Sequence, residues 1–176
     1  KVGQLIATAS GFISANVHSP VSGKVAKIDT IVDGWGMKTP AVFIDVEGDE
    51  WMENIDRSSD IKPVCKLEPA DIVKKIGDAG IVGLGGACFP THVKLSPPPG
   101  KKAEVLIINA VECEPYLTCD HQLMMEHGEE IMIGIKILMK ALQVERAIIG
   151  IENNKKDAIN HMRELAKTSL GIEVMP

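Results

Sequence analysis

The chain has 176 residues, 45% of them hydrophobic, which is enough for one ordinary domain or two small ones with a true core. Aromatics are only 3%, so that core is built mainly from Ile, Val, Leu, Ala and Met. A formal net charge of −5 without a long Lys/Arg run argues against nucleic acid as the main partner, and no stretch approaches the ~18 apolar residues of a membrane span.

Residues 1–48 read as short β-type runs split by turns, a compact all-β module. The candidate strands begin at Gln4, Gly11, Gly23 and Ala41, and Ser19-Pro-Val-Ser-Gly23 is a turn that takes in His18 just before it. Residues 49–66 are polar and read as a linker. From Pro69 the periodicity is helical and stops between Gly77 and Gly80. A glycine-rich segment and a Pro97-Pro-Pro-Gly-Lys-Lys102 loop follow, and then a buried-type strand, Glu104–Asn109. A helix is expected over 128–142, with Glu129 and Glu130 favouring its positive end and Lys136 and Lys140 on a polar stripe. Arg146–Ile151 is a second strand, Asn153 or Asn154 caps a helix to about Ser169, and Ile172 opens a third strand. Strand–helix–strand–helix–strand with near-continuous apolar strands predicts a parallel sheet covered on both faces, so residues 67–176 form an α/β domain. Met124, Met125, Met132 and Met139 are expected to fill core gaps, and Lys101-Lys102 and Lys155-Lys156 to lie on solvated surface. The chain opens inside a β pattern and stops at Pro176 as a strand begins, so it reads as a fragment of a longer protein, without a signal-peptide pattern.

Chemistry concentrates in two places. Gly83-Leu-Gly-Gly-Ala-Cys-Phe-Pro-Thr-His-Val-Lys94 frees the backbone for positive φ and for close approach of an anion, and adds an aromatic face and a cation. It follows a helix and has no Gly-Lys-Ser/Thr, so neither a dinucleotide fingerprint nor a Walker loop fits. A nest of amides with Lys94 remains, for a phosphate or for the edge of a flavin ring. The second place is Asn109-Ala-Val-Glu-Cys-Glu-Pro115. If the chain stays extended there, Glu112 and Glu114 share a face, and ribose hydroxyls, ring N–H groups or a metal suit two carboxylates. A solvated strand end is the alternative, but ligands of open α/β sheets bind at the carboxyl ends of strands.

Cys65, Cys88, Cys113 and Cys119 are too few and scattered for a disulfide framework, so reduced thiols of a cytosolic protein are expected. No Cys-x-x-Cys is present to hold an iron–sulfur cluster. Cys88, His92, Cys113, Cys119 and His121 match no common zinc spacing, and a thiol as a small core residue is the simpler reading.

Gly83, Gly85, Gly86, Ala87, Phe89, Pro90, Thr91 and Lys94, followed by Asn109, Ala110, Glu112, Glu114 and Pro115, resemble the two motifs lining the FMN and NADH site of a flavoprotein superfamily. The chain is similar to RnfC, a component of Rnf-type electron transport complexes, and more distantly to the NADH-binding flavoprotein subunit of respiratory complex I. The segment Gly11–Gly23 looks like the family's barrel-sandwich module, akin to biotinyl and lipoyl carriers, but Ile13-Ser-Ala-Asn16 at its tip offers no lysine to modify. The resemblance implies FMN and NAD(H) as cofactors, with 4Fe-4S clusters only in family segments beyond Pro176. It also implies other subunits and ferredoxin as partners, at the cytoplasmic face of the membrane. By the same resemblance Gly83, Gly85, Gly86 and Lys94 go to the flavin phosphate and ring edge, Asn109 and Glu112 to FMN polar groups, and Phe89 and Glu114 to the nicotinamide nucleotide. Complex I flavoproteins carry an acid where Val111 stands. A docking subunit with an empty flavin pocket is the other reading.

Overall fold

The protein is described by a computed structural model over residues 1–176. It divides into two compact units, Lys1–Ser59 with Gly77–Pro90, and Asp60–Ile76 with Thr91–Pro176. The boundaries expected from composition, at 48 and 66, cut the chain differently.

In the first unit β1 (Leu5–Ala7) pairs antiparallel with β2 (Val17–His18), and β3 (Gly23–Val32) with β4 (Lys38–Val46). The expected strand from Gly11 shrinks to Val17–His18, because residues 9–16 form a turn closed by side chains. Asn16 Oδ1 accepts the Ala9 amide at 2.9 Å, and its Nδ2 donates to the Asp78 carbonyl at 3.1 Å. His18 is therefore a strand residue. The turn between β3 and β4 is organised by Asp33, whose Oδ1 accepts the amides of Trp35 and Met37, while Oδ2 accepts the Thr39 hydroxyl. The first part of the predicted linker packs into this unit, since Val2 bridges Trp51 and exchanges backbone bonds with Glu50 and Met52.

In the second unit α1 (Pro69–Asp78) begins and a short α2 (Thr91–Lys94) follows. Then come β5 (Leu106–Ala110), α3 (Cys119–Glu126), α4 (Gly128–Leu142), β6 (Ala147–Ile151), α5 (Lys156–Ala166) and β7 (Ile172–Met175). The helices at α2 and α3 were not legible in the sequence; α3 alternates polar and apolar residues without a sustained apolar stripe. The three strands run parallel in the order β5-β6-β7. Since that order never reverses, crossovers of one hand lay α4 and α5 on the same side, where they touch. One face is thus the core face: Ile149 and Ile151 of β6, Met132, Ile135 and Met139 of α4, and Ala158, Ile159 and Met162 of α5. The expectation of two covered faces is corrected by Ile107, which points the other way from β5 and is 67% exposed. Ile72 of α1 and Leu95 pack on Ala141, on a further side of α4. Met124 is buried as expected, but Met125 is exposed. The N-cap of α5 is Lys155 and makes no side-chain cap bond, so neither Asn153 nor Asn154 holds that position.

Candidate functional site

The glycine segment forms a loop closed at its base. Val82 bridges Pro90, and the Gly83 amide donates to the Phe89 carbonyl at 2.9 Å. Between these points the chain turns through Gly86 at φ +113° and Cys88 at φ +49°. A Cβ built on Gly85 or Gly86 meets nothing within 4 Å, so the backbone there is open to a ligand from outside. The Gly83 amide is spent on the loop, whereas those of Gly85 and Gly86 have no acceptor within the chain. Leu84 and Phe89 are exposed. The helical turn after the loop, α2, carries Lys94 at its end, with its side chain in solvent. This loop groups with the first unit and Lys94 with the second.

The second feature lies wholly in the second unit. The segments leaving the carboxyl ends of β5 and β6 enclose a crevice of about 240 Å³, lined by residues 112–118 from one and Glu152, Asn154 and Lys155 from the other. Beyond Ala110 the chain does not stay extended. Residues 114–117 make a turn in which Leu117 N–H reaches the Glu114 carbonyl at 3.3 Å, with Pro115 and then Tyr116 at φ +68° in its middle. A left-handed conformation costs a non-glycine residue roughly 1–2 kcal/mol, and Tyr116 is fully exposed, with no packing of its own to offset it.

That turn separates the two acids. Glu114 stays exposed, while the Glu112 side chain is 3% exposed. Glu112 Oε1 accepts the Asp120 amide at 2.8 Å, at the start of α3. Its Oε2 lies 3.2 Å from Lys155 Nζ, but no donor is aligned on it, so this buried oxygen keeps an acceptor direction unfilled. Burial pushes the Glu112 carboxyl up. The Asp120 amide, the hydrogen bond and charge of Lys155, and the Cys119 thiol outweigh that and hold it below its ordinary value. The expected common face of Glu112 and Glu114 is therefore replaced by a common crevice, one acid at its floor and the other at its rim. Asn109, at the register position of Gly150, is exposed and bonds the Val111 amide.

Lys155 was expected on solvated surface, yet its side chain is only 16% exposed. The signal that could have found it is positional, because it stands four residues beyond the end of β6, on the rim where parallel sheets bind ligands. Asn154 and Glu152 were missed for the same reason. The zinc candidates do not assemble. Cys88 lies in the loop ahead of the helix that carries His92, and His121 Nε2 pairs with Asp157 Oδ2 at 2.9 Å. Cys119 has its sulfur within 4.8 Å of carboxylate oxygens of Glu112 and Asp120, but Lys155 already supplies the positive charge there.

The donor set suits a flavin nucleotide. An unfilled buried acceptor at Glu112 Oε2, with Glu114 and Glu152 on the rim, asks for the hydroxyl or ring N–H donors of a polyol-bearing ring. Open glycine amides ask for an anion or a carbonyl edge. At about 240 Å³ the crevice is smaller than the roughly 300–1,000 Å³ of pockets that enclose a whole ligand, so it covers one part of a nucleotide.

Known proteins share these features. Residues 76–176 match the family described as the Nuo51 FMN-binding domain, and residues 1–49 match the RnfC barrel sandwich hybrid domain. The chain is 48% identical, over 93% of its length, to the RnfC-type subunit of the proton-translocating ferredoxin:NAD(+) oxidoreductase complex of Clostridium ljungdahlii. It is 44% identical, over 98% of its length, to the corresponding subunit of the Na(+)-translocating ferredoxin:NAD(+) oxidoreductase complex of Acetobacterium woodii. It spans 35% and 39% of those two relatives, little more than a third of each. A crystal structure of an NAD+-reducing NiFe hydrogenase is similar over 61% of this chain and 20% of that one, at 24% identity and a TM-score of 0.49.

Proposed function

The chain belongs to the RnfC family and contains that family's Nuo51-type FMN-binding domain; from this we infer that it is the flavin-bearing part of an electron-transfer subunit. In this reading the full-length protein exchanges electrons between NADH and iron–sulfur centres that serve ferredoxin, as one subunit of an ion-translocating complex. It works peripherally at the cytoplasmic face of the membrane; no helix here is long and apolar enough to cross one. FMN, when bound, accepts a hydride from NADH and releases the two electrons singly. The protein supplies position, electrostatics and exclusion of water.

The observation that carries the reading is the buried, charge-paired Glu112 at the carboxyl ends of parallel strands, with one acceptor direction unfilled. Glu112 and Asn109 are assigned to FMN polar groups. The amides around Gly83, Gly85 and Gly86, with Lys94, are assigned to its phosphate and ring edge. Within that set the engagement of Gly83 N–H by Phe89 leaves the donor role to Gly85 and Gly86. Phe89 and Glu114, both exposed, are assigned to the nicotinamide nucleotide. No residue of the chain is given a bond-making role.

The test is the absorbance spectrum of the purified full-length protein, with and without NADH. A flavin band that bleaches with NADH is the expected result, and Glu114→Gln and Lys94→Ala lower NADH oxidation or flavin content with the fold intact. A full-length protein without flavin, or unchanged turnover in both variants, refutes the assignment and leaves a docking subunit.

A further inference from the structure

Lys155 is the least expected element of the crevice, since lysine is almost never buried without a partner. Its side chain is 16% exposed and its ammonium lies 3.2 Å from Glu112 Oε2, whose own side chain is 3% exposed. It is the N-cap residue of α5, where the positive end of a helix gives a cation no help, so the helix itself does not account for a lysine there. What does account for it is the acid opposite. Three carboxylates, Glu112, Glu114 and Glu152, line the crevice, and Lys155 is the cation among its lining residues.

We propose that Lys155 is a positioning residue of the ligand crevice: it holds Glu112 as a fixed, charged acceptor whose second oxygen takes a hydroxyl or ring N–H of the bound flavin. The inference rests on the flavin reading above. Lys155 acts through Glu112, because an ammonium committed to a carboxylate at 3.2 Å is poorly placed to serve as an independent phosphate clamp. The phosphate is accordingly left to the glycine loop, and the crevice takes the uncharged, donor-rich part of the molecule.

Removing the cation leaves Glu112 buried with the Asp120 amide as its remaining strong stabiliser, and burial then drives the carboxyl toward its protonated form. A protonated Glu112 no longer offers the same acceptor. The other groups facing it are the Cys119 thiol and Asp120 carboxylate of α3, each with an atom within 4.8 Å. The neighbouring His121–Asp157 pair joins α3 to α5. These groups are common to every variant below, as is the titration of FMN's own phosphate.

The experiment measures FMN affinity of the full-length apoprotein by flavin fluorescence between about pH 6 and pH 8, where an unperturbed carboxylate stays charged. The variants are Lys155→Met, Lys155→Arg and Glu112→Gln/Lys155→Met. Wild type is expected to show only the slope of FMN itself. Lys155→Met is expected to bind roughly 10- to 100-fold more weakly, the worth of one charge-assisted hydrogen bond, with the deficit growing toward pH 6. Lys155→Arg restores most of the affinity, and the double variant binds weakly without the extra slope. Lys155→Met binding as wild type does at every pH overturns the role of Lys155 while the flavin reading stands. A deficit equal at every pH marks a merely structural effect and overturns it too. If Lys155→Met does not fold, the double variant decides, since it buries no lone charge; wild-type affinity there overturns the proposal. A wild-type protein that binds no FMN overturns the flavin reading instead.

Discussion

The openness of the glycine loop yields a prediction that separates a ligand role from a structural one. A Cβ placed on Gly85 meets no atom within 4 Å and Gly85 is not in the left-handed region, so Gly85→Ala strains nothing in the chain. Its stability is expected to stay within about 0.5 kcal/mol of wild type. Gly86 is equally open but sits at φ +113°, where an L side chain is strained, and Gly86→Ala is expected to cost about 1–2 kcal/mol. A ligand seated on these amides changes the ranking, because a methyl group on either residue stands where the ligand approaches the backbone. Gly85→Ala, harmless to the fold, is expected to weaken FMN binding by roughly tenfold or more, the equivalent of one lost charge-assisted hydrogen bond. Urea unfolding gives the stabilities, and flavin fluorescence on the same samples gives the affinities. Unchanged FMN affinity in Gly85→Ala would refute the idea that this backbone is kept bare for a ligand.

Two more expectations follow from the second unit. Ile149 is 1% exposed, flanked across β6 by Ile108 and Val174, whereas Ile107 on the edge strand is 67% exposed. Ile149→Ala removes three buried carbons at roughly 0.8 kcal/mol each and opens a cavity at the sheet centre, so about 3–4 kcal/mol is expected. Ile107→Ala is expected to cost less than about 1 kcal/mol by the same denaturation assay, and equal costs would mean that the Ile107 face is covered. The carboxyls of Glu112 and Asp157 both lie below their ordinary values of 4.5 and 3.8. For Asp157 the Ala158 amide is the main cause, followed by His121. Depressed folded-state values contribute stability that is complete above the ordinary values and is lost as pH falls through the lower ones. Acid titration of the unfolding free energy should therefore show a loss below about pH 4.5 that shrinks in Glu112→Gln. An identical acid-side slope in that variant would contradict the buried pairing of Glu112.

The elements of the second unit were legible in the sequence wherever one physical signal dominated. The apolar runs around Ile107 and Ile149 mark strands, and the 15-residue periodic stretch beginning at Gly128 marks a helix whose bounds the structure reproduces. A period that repeats over several turns needs no partner to be recognised. The same holds for the motif residues Gly85, Gly86, Glu112 and Glu114, because glycine freedom and carboxylate chemistry belong to the residue itself.

Tertiary structure decided the rest. Which face of the sheet is covered depends on strand order, and nothing in the apolar runs distinguishes β5-β6-β7 from an order that reverses. Glu112 and Glu114 have the same side chain and adjacent spacing, yet the 114–117 turn buries one and exposes the other. Lys155 and Lys156 are chemically identical, and only the meeting of the β5 and β6 exits draws the first of them onto a buried carboxylate 43 residues away in sequence while the second stays in solvent. Residue chemistry is local and can be read from the chain. Burial and pairing are set by distances between segments remote in sequence, and a one-dimensional pattern does not contain them.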